Sequence, residues 1–141
     1  MTRIRTREGI ELAYESLGPE DAPAVILIMG LGAQMHVWPT SLCNRLVEAG
    51  YRVIRFDNRD TGRSTALDDH GNPSLIRVWL GRRLKRNPKV PYTLKDMSRD
   101  VLALMNELDI PSAHLVGASM GGMIAQILAA QKRKRVRSLT S

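Results

Sequence analysis

The chain has 141 residues, 43% hydrophobic and 25% charged, which suits a single domain with a modest core and argues against disorder. Its net charge of +7 raises nucleic acid or an anionic membrane as partners, yet much of the excess lies in two runs without interleaved aromatics, Arg82-Arg83-Leu84-Lys85-Arg86 and Lys132-Arg133-Lys134-Arg135. These read as solvated surface, so neither a nucleic-acid nor a membrane partner is expected. A single cysteine, Cys43, excludes an internal disulfide, and its neighbours Leu42, Leu46 and Val47 mark it as a buried helix residue. The charged start is followed by no apolar stretch of the signal-peptide kind, and the longest apolar run, residues 24–33, falls short of the ~20 residues that cross a bilayer. A reducing, cytoplasmic setting is the default expectation.

In chain order, Ile4, Thr6 and residues 10–17 alternate loosely around Glu8-Gly9, which predicts an antiparallel strand pair. A turn-rich break at residues 18–23 precedes Ala24-Val25-Ile26-Leu27-Ile28-Met29, a continuous apolar run of the kind that forms a strand buried on both faces. Residues 38–49 read as a helix with Leu42, Leu46 and Val47 on one face, Pro39 in its first turn and Gly50 at its end. Residues 51–56 form the next strand, closed by the polar turn Asp57-Asn58-Arg59-Asp60-Thr61-Gly62. Residues 75–84 fit a short amphipathic helix between Pro73 and Pro88. A longer helix over 94–108 carries Met97, Val101, Leu104, Met105 and Leu108 at three- and four-residue spacing. A strand over 113–117, a helix over 120–130 and a last strand over 136–140 follow. Two strands, then alternating strand and helix, predict one α/β domain over 1–141, with a mostly parallel sheet covered on both faces and antiparallel strands at its N-terminal edge.

The strongest chemical signal is Gly117-Ala118-Ser119-Met120-Gly121-Gly122, a G-x-S-x-G pattern between an apolar strand and a helix. A serine on so sharp a turn occupies a backbone conformation costly for a residue with a side chain, and Gly117 and Gly121 leave the space such a turn needs. Ser119 is the candidate nucleophile. The Met120 N–H opens the following helix and can meet a developing oxyanion. After the buried strand, Met29-Gly30-Leu31-Gly32 is a glycine-flexible loop suited to supply the second oxyanion-hole N–H, from Leu31, with Gly30 and Gly32 giving it freedom. A phosphate-binding reading fails because a third glycine would have to stand where Met35 does. No metal-ligand grouping is evident, and no cofactor is expected.

Three segments together, Leu27-Ile28-Met29-Gly30-Leu31-Gly32-Ala33-Gln34, Arg55-Phe56-Asp57-Asn58-Arg59-Asp60-Thr61-Gly62-Arg63-Ser64 and Val116-Gly117-Ala118-Ser119-Met120-Gly121-Gly122-Met123, resemble the α/β-hydrolase superfamily. They are most similar to the branch of proline iminopeptidase-like hydrolases and aclacinomycin methylesterase-like esterases. The resemblance implies hydrolysis of a small hydrophobic ester or amide through an acyl-serine, and a structural turn formed by Asp57, Arg59, Gly62 and Ser64. Two departures stand out: Met29 where a His commonly precedes the oxyanion glycine, and Lys132-Arg133-Lys134-Arg135 where the family often has a His-Pro-Glu-Arg turn.

The family's triad runs Ser, then Asp or Glu, then His, yet residues 120–141 contain none of the last three. His36, His70 and His114 all precede Ser119 and read as surface or structural residues. The expectation is therefore the N-terminal portion of a longer hydrolase, with later strands, lid, acid and base absent and this stretch inactive alone. A complementing chain, self-association through the exposed sheet edge, and a non-catalytic binding module on the same fold are the alternatives. Trp79, in the 75–84 segment, is a candidate wall of the substrate pocket.

Overall fold

A computed structural model describes residues 2–30, 32–66 and 92–141. The 75–84 helix, Trp79, His70, Leu31 and the first basic run lie outside the described residues.

The continuous apolar run becomes strand β3 (Ala24–Ile28), buried at every position, and it occupies the middle of a six-stranded sheet. Around it lie β1 (Thr2–Arg5), β2 (Glu11–Leu17), β4 (Arg52–Phe56), β5 (Ala113–Gly117) and β6 (Val136–Thr140), in the order β1-β2-β4-β3-β5-β6. The pairs β1–β2 and β2–β4 are antiparallel, and the other three are parallel. This is the α/β sheet expected from the sequence, with an antiparallel N-terminal edge. Its two faces bury separate clusters. One gathers Ile26, Ile28, Ile54, Phe56 and Leu115 under helices α2 (Leu94–Glu107) and α3 (Met120–Gln131). The other gathers Val25, Leu27 and Val53 against Cys43 of helix α1 (Thr40–Glu48), with Trp38 and Leu46 packed alongside.

Helix α1 starts later than its apolar pattern suggested. Pro39 is its N-cap, and Trp38 closes a short 3-10 turn at Met35–Val37. Cys43 is buried as expected, whereas Leu42, expected on the inner face, lies about 100° round the helix from it and is exposed. Helix α2 is opened by a capping box in which Thr93 and Asp96 exchange side-chain and backbone hydrogen bonds. Lys132-Arg133-Lys134-Arg135 forms the bend into β6, where Arg135 donates to the carbonyls of Pro111 and Ile110. No helix among the described residues is long and apolar enough to cross a membrane.

The turn after β4 is held by buried charge. Arg59 forks onto Asp100 of α2, with both nitrogen–oxygen distances 2.7 Å. Its guanidinium also lies 5.4 Å from the centre of the Tyr92 ring, whose hydroxyl donates to Asp60. The Asp60 N–H in turn reaches the Thr65 carbonyl at 2.7 Å. Burial opposes both charges of the ion pair. On Arg59 the hydrogen bonds and charge of Asp100 outweigh it and hold the pKa above the ordinary value; on Asp100 burial prevails and the carboxyl is raised. Removing one partner leaves the other charge buried and unpaired, which costs about 3–5 kcal/mol. Asp100→Ala is therefore expected to lower the unfolding free energy read from urea melts by an amount of that order, and Arg59→Met/Asp100→Leu together to recover much of the loss; a double variant as unstable as the single one contradicts the pairing.

Candidate active site

Strands β3 and β5 run parallel, and their last paired residues are Ile28 and Gly117. The loops that leave them therefore meet at one edge of the sheet, where α/β folds place their sites. The chain turns from β5 into α3 at Ser119, whose backbone lies at φ 53°, ψ −120°. That is a left-handed conformation disfavoured for any residue with a Cβ. Ser119 is exposed, and the turn is locked by the N–H of Gly121 on Ala118 O (2.8 Å) and of Gly122 on Ser119 O (2.9 Å). The Met120 N–H, at the first position of α3, has no hydrogen-bond acceptor among the described residues, as a helix N-terminus leaves it.

The glycines answer to close approach rather than to flexibility. A Cβ on Gly117 would fall on the backbone of Gly121 and Gly122, and one on Gly121 would fall on the Ile28 carbonyl. Gly30 faces the serine: a Cβ there would lie 3.1 Å from Ser119 Cβ. Gly32, at φ 68°, has open space around it and serves the loop's conformation. Among the described residues, then, the structure brings Ser119, Met120, Gly117, Gly121 and Gly30 to one place.

The described histidines sit elsewhere. His114 pairs in register with Val25, three residues before Gly117 and so about 10 Å down the strand; its ring bonds Ser138 Oγ at 2.7 Å. His36 lies 3.2 Å from Glu15, which also receives two nitrogens of buried Arg55. No group of three or more metal-ligating side chains occurs among the described residues.

The 57–64 turn does more than close a strand. Asp57 accepts the Met35 N–H at 2.7 Å and the Arg63 N–H at 3.1 Å, and Asn58 donates to the Met29 carbonyl at 2.9 Å. Asn58 carried no assigned role in the sequence. The available signal was its position: a polar pair directly after a strand that ends beside β3.

A family model described as alpha/beta hydrolase fold matches residues 23–141. The chain belongs to the α/β-hydrolase family. It is 36% identical over 140 residues to a rhodomycin D methylesterase of Streptomyces peucetius, covering 99% of this chain and 41% of that protein. Among solved structures, a hydrolase from Pseudomonas aeruginosa superposes with a TM-score of 0.76 at 30% identity, over 97% of this chain and 43% of the other. An enol-lactonase from Burkholderia xenovorans gives 0.72 at 30% identity, over 96% and 44%. The chain thus spans about two fifths of the length of the curated relatives it matches.

Two predictions concern this region. Gly121→Ala places a methyl against the β3 backbone and is expected to cost about 3 kcal/mol or more, whereas Gly9→Ala, with free space but φ 83°, should cost about 1–2 kcal/mol. Urea midpoints at unchanged m-value check the contrast. The second concerns pH. Burial pushes the Glu15 carboxyl up, but the hydrogen bond and charge of Arg55, then those of His36, more than offset it and hold Glu15 below the ordinary glutamate value. A carboxylate lowered by folding adds stability above its unfolded pKa and loses it as pH falls through the folded one. Glu15→Gln should therefore be less stable than wild type at neutral pH, with the gap closing as pH falls through the carboxylate range. Urea melts across that range read the outcome.

Proposed function

We propose that these residues carry the nucleophile half of a serine hydrolase that cleaves a small hydrophobic carboxylic ester or amide through an acyl-Ser119 intermediate. The observation that carries this reading is the conformation of Ser119: an exposed hydroxyl on a left-handed turn at the sheet edge, followed by an open helix N–H. Strain of that kind persists only where the surroundings over-determine it, and it gathers at reactive sites.

In the proposed reaction, Ser119 Oγ bonds to the substrate carbonyl carbon while its proton passes to a general base. The carbonyl oxygen becomes an oxyanion met by the Met120 N–H and, by the sequence pattern, the Leu31 N–H. Collapse of this intermediate breaks the bond to the alcohol or amine, which leaves with the proton. Water then attacks the acyl-serine, giving the acid and restoring Ser119. One oxyanion-hole donor contributes on the order of 10²–10³ in rate. A serine without a base is a poor nucleophile, and residues 120–141 hold no Asp, Glu or His. The base and its orienting acid would come from beyond these residues, in the same protein or a complementing chain. Activity on a carbonyl centre agrees with the activities named for two similar proteins, a methylesterase and an enol-lactonase.

Labelling with a fluorophosphonate tests the reading. The whole protein is expected to be labelled at Ser119, and Ser119→Ala to lose both labelling and at least about 10³-fold of p-nitrophenyl butyrate turnover. Equal turnover in Ser119→Ala would refute the nucleophile, and a folded, unlabelled wild type would favour a binding module on the same fold.

A further inference from the structure

We infer that Asp57 and Asn58 are positioning residues of the active site, clamping the two ends of the loop that runs from Met29 to Met35 beside Ser119. The inference rests on the proposed acyl transfer, in which that loop contributes to the oxyanion hole.

Backbone accounting leads to it. Met29 lies one residue past the last paired position of β3, so its carbonyl has no strand partner, and it is buried beside the elbow. A buried carbonyl without a partner is costly. Asn58 supplies the missing donor at 2.9 Å. At the far end, the Met35 N–H opens a 3-10 turn and lies too early in it for a partner within the turn. The Asp57 carboxylate takes that N–H at 2.7 Å, a charge-assisted bond in a buried setting. Consecutive residues thus hold both ends of one loop, and Gly30, inside the loop, is the residue that faces Ser119.

The clamp is itself held. Asp57 and Asn58 are only 2% and 3% exposed. The second carboxylate oxygen of Asp57 accepts the Arg63 N–H, and its carbonyl accepts Ser64 Oγ at 2.6 Å. Ser64 Oγ in turn accepts the Ala13 N–H of β2 at 2.9 Å. Gly62 leaves room for the carboxylate, since a Cβ there would overlap it. The loop is therefore referenced to β2 and β4 rather than to its own conformational preference, and its two glycines make such an external reference necessary. Neither Asp57 nor Asn58 hydrogen-bonds Ser119, so their effect on rate runs through the loop.

Asn58→Asp in the whole, active protein keeps the side-chain shape and turns the donor into an acceptor facing the Met29 carbonyl. A loop displaced by about 1 Å loses roughly tenfold to hundredfold in rate. The expected result is a kcat for p-nitrophenyl butyrate lowered by that factor, KM within about twofold of wild type, and a cooperative melt retained. If Asn58→Asp does not fold, Asn58→Ala removes the donor without adding charge and is read in the same way. Faster amide exchange at Gly30, Gly32 and Met35, with the rest of the sheet unchanged, is the expected signature that does not depend on turnover. An unchanged kcat in a serine-dependent enzyme, or unchanged exchange in the loop, would overturn the clamp while leaving the proposed function intact. Turnover that survives Ser119→Ala would remove the proposed function, and with it the catalytic meaning of the clamp.

Discussion

The contact on which the arrangement depends is one between backbones. Where α3 begins, the chain lies so close to the end of β3 that no side chain fits between them: Gly121 abuts the Ile28 carbonyl and Gly30 abuts Ser119. Bare backbone on both sides lets the serine turn seat on the central strand. The bond from the Ala118 N–H to the Ile28 carbonyl, 3.0 Å long, continues the sheet into the turn. Once that seat is fixed, the left-handed serine and the open Met120 N–H follow, while the ends of the opposing loop are held by Asp57 and Asn58. Strain at Ser119 is tolerated because the central strand β3, on which the turn seats, is buried on both faces and cannot easily yield.

Buried polar groups in this domain serve two uses. Asp57 and Asn58 bond backbone groups at the ends of a loop. Arg59–Asp100 and Arg55–Glu15 tie elements to one another: the first joins the 57–64 turn to α2, and the second joins β4 to β2 and, through the Trp38 carbonyl, to the approach to α1. At the opposite edge, buried Arg52 is satisfied by Ser16 Oγ and the Glu20 and Leu108 carbonyls, the last at the end of α2, where the helix dipole favours a cation. Buried charge therefore serves chiefly as joinery between layers, while the apolar clusters supply the bulk of the burial.

Much of this was legible in the residues. The unbroken apolar run at 24–29, the three- and four-residue spacing over 94–108 and the glycine-flanked serine each mark one element, because pattern, length and flanking turn residues agree at each. Helix α1 was legible in place and in the burial of Cys43, but not in its first residues, where Trp38 and Pro39 could open either an α-helix or the 3-10 turn seen, nor in the exposure of Leu42. The position of Asp57 and Asn58 in the turn after β4 was legible, but the backbone groups they bond were not. A side chain that bonds a backbone group 22 or 29 residues away leaves no periodic trace, and only the folded sheet edge brings the two together.

The anchoring of Asp60 bears on how such a domain can diversify. Asp60 bonds the Thr65 carbonyl through its N–H and receives the Tyr92 hydroxyl on its carboxylate, so residues 65 and 92 both meet at one fixed point. Asp60 thereby holds Thr65 and Tyr92 close to each other, although 27 positions separate them in the sequence. Lengthening a segment whose ends are already held together adds only loop-closure entropy, about 0.6 kcal/mol for each doubling. A change of length between these two residues would therefore leave the bonds at Asp60, and the strands that carry the serine, as they are.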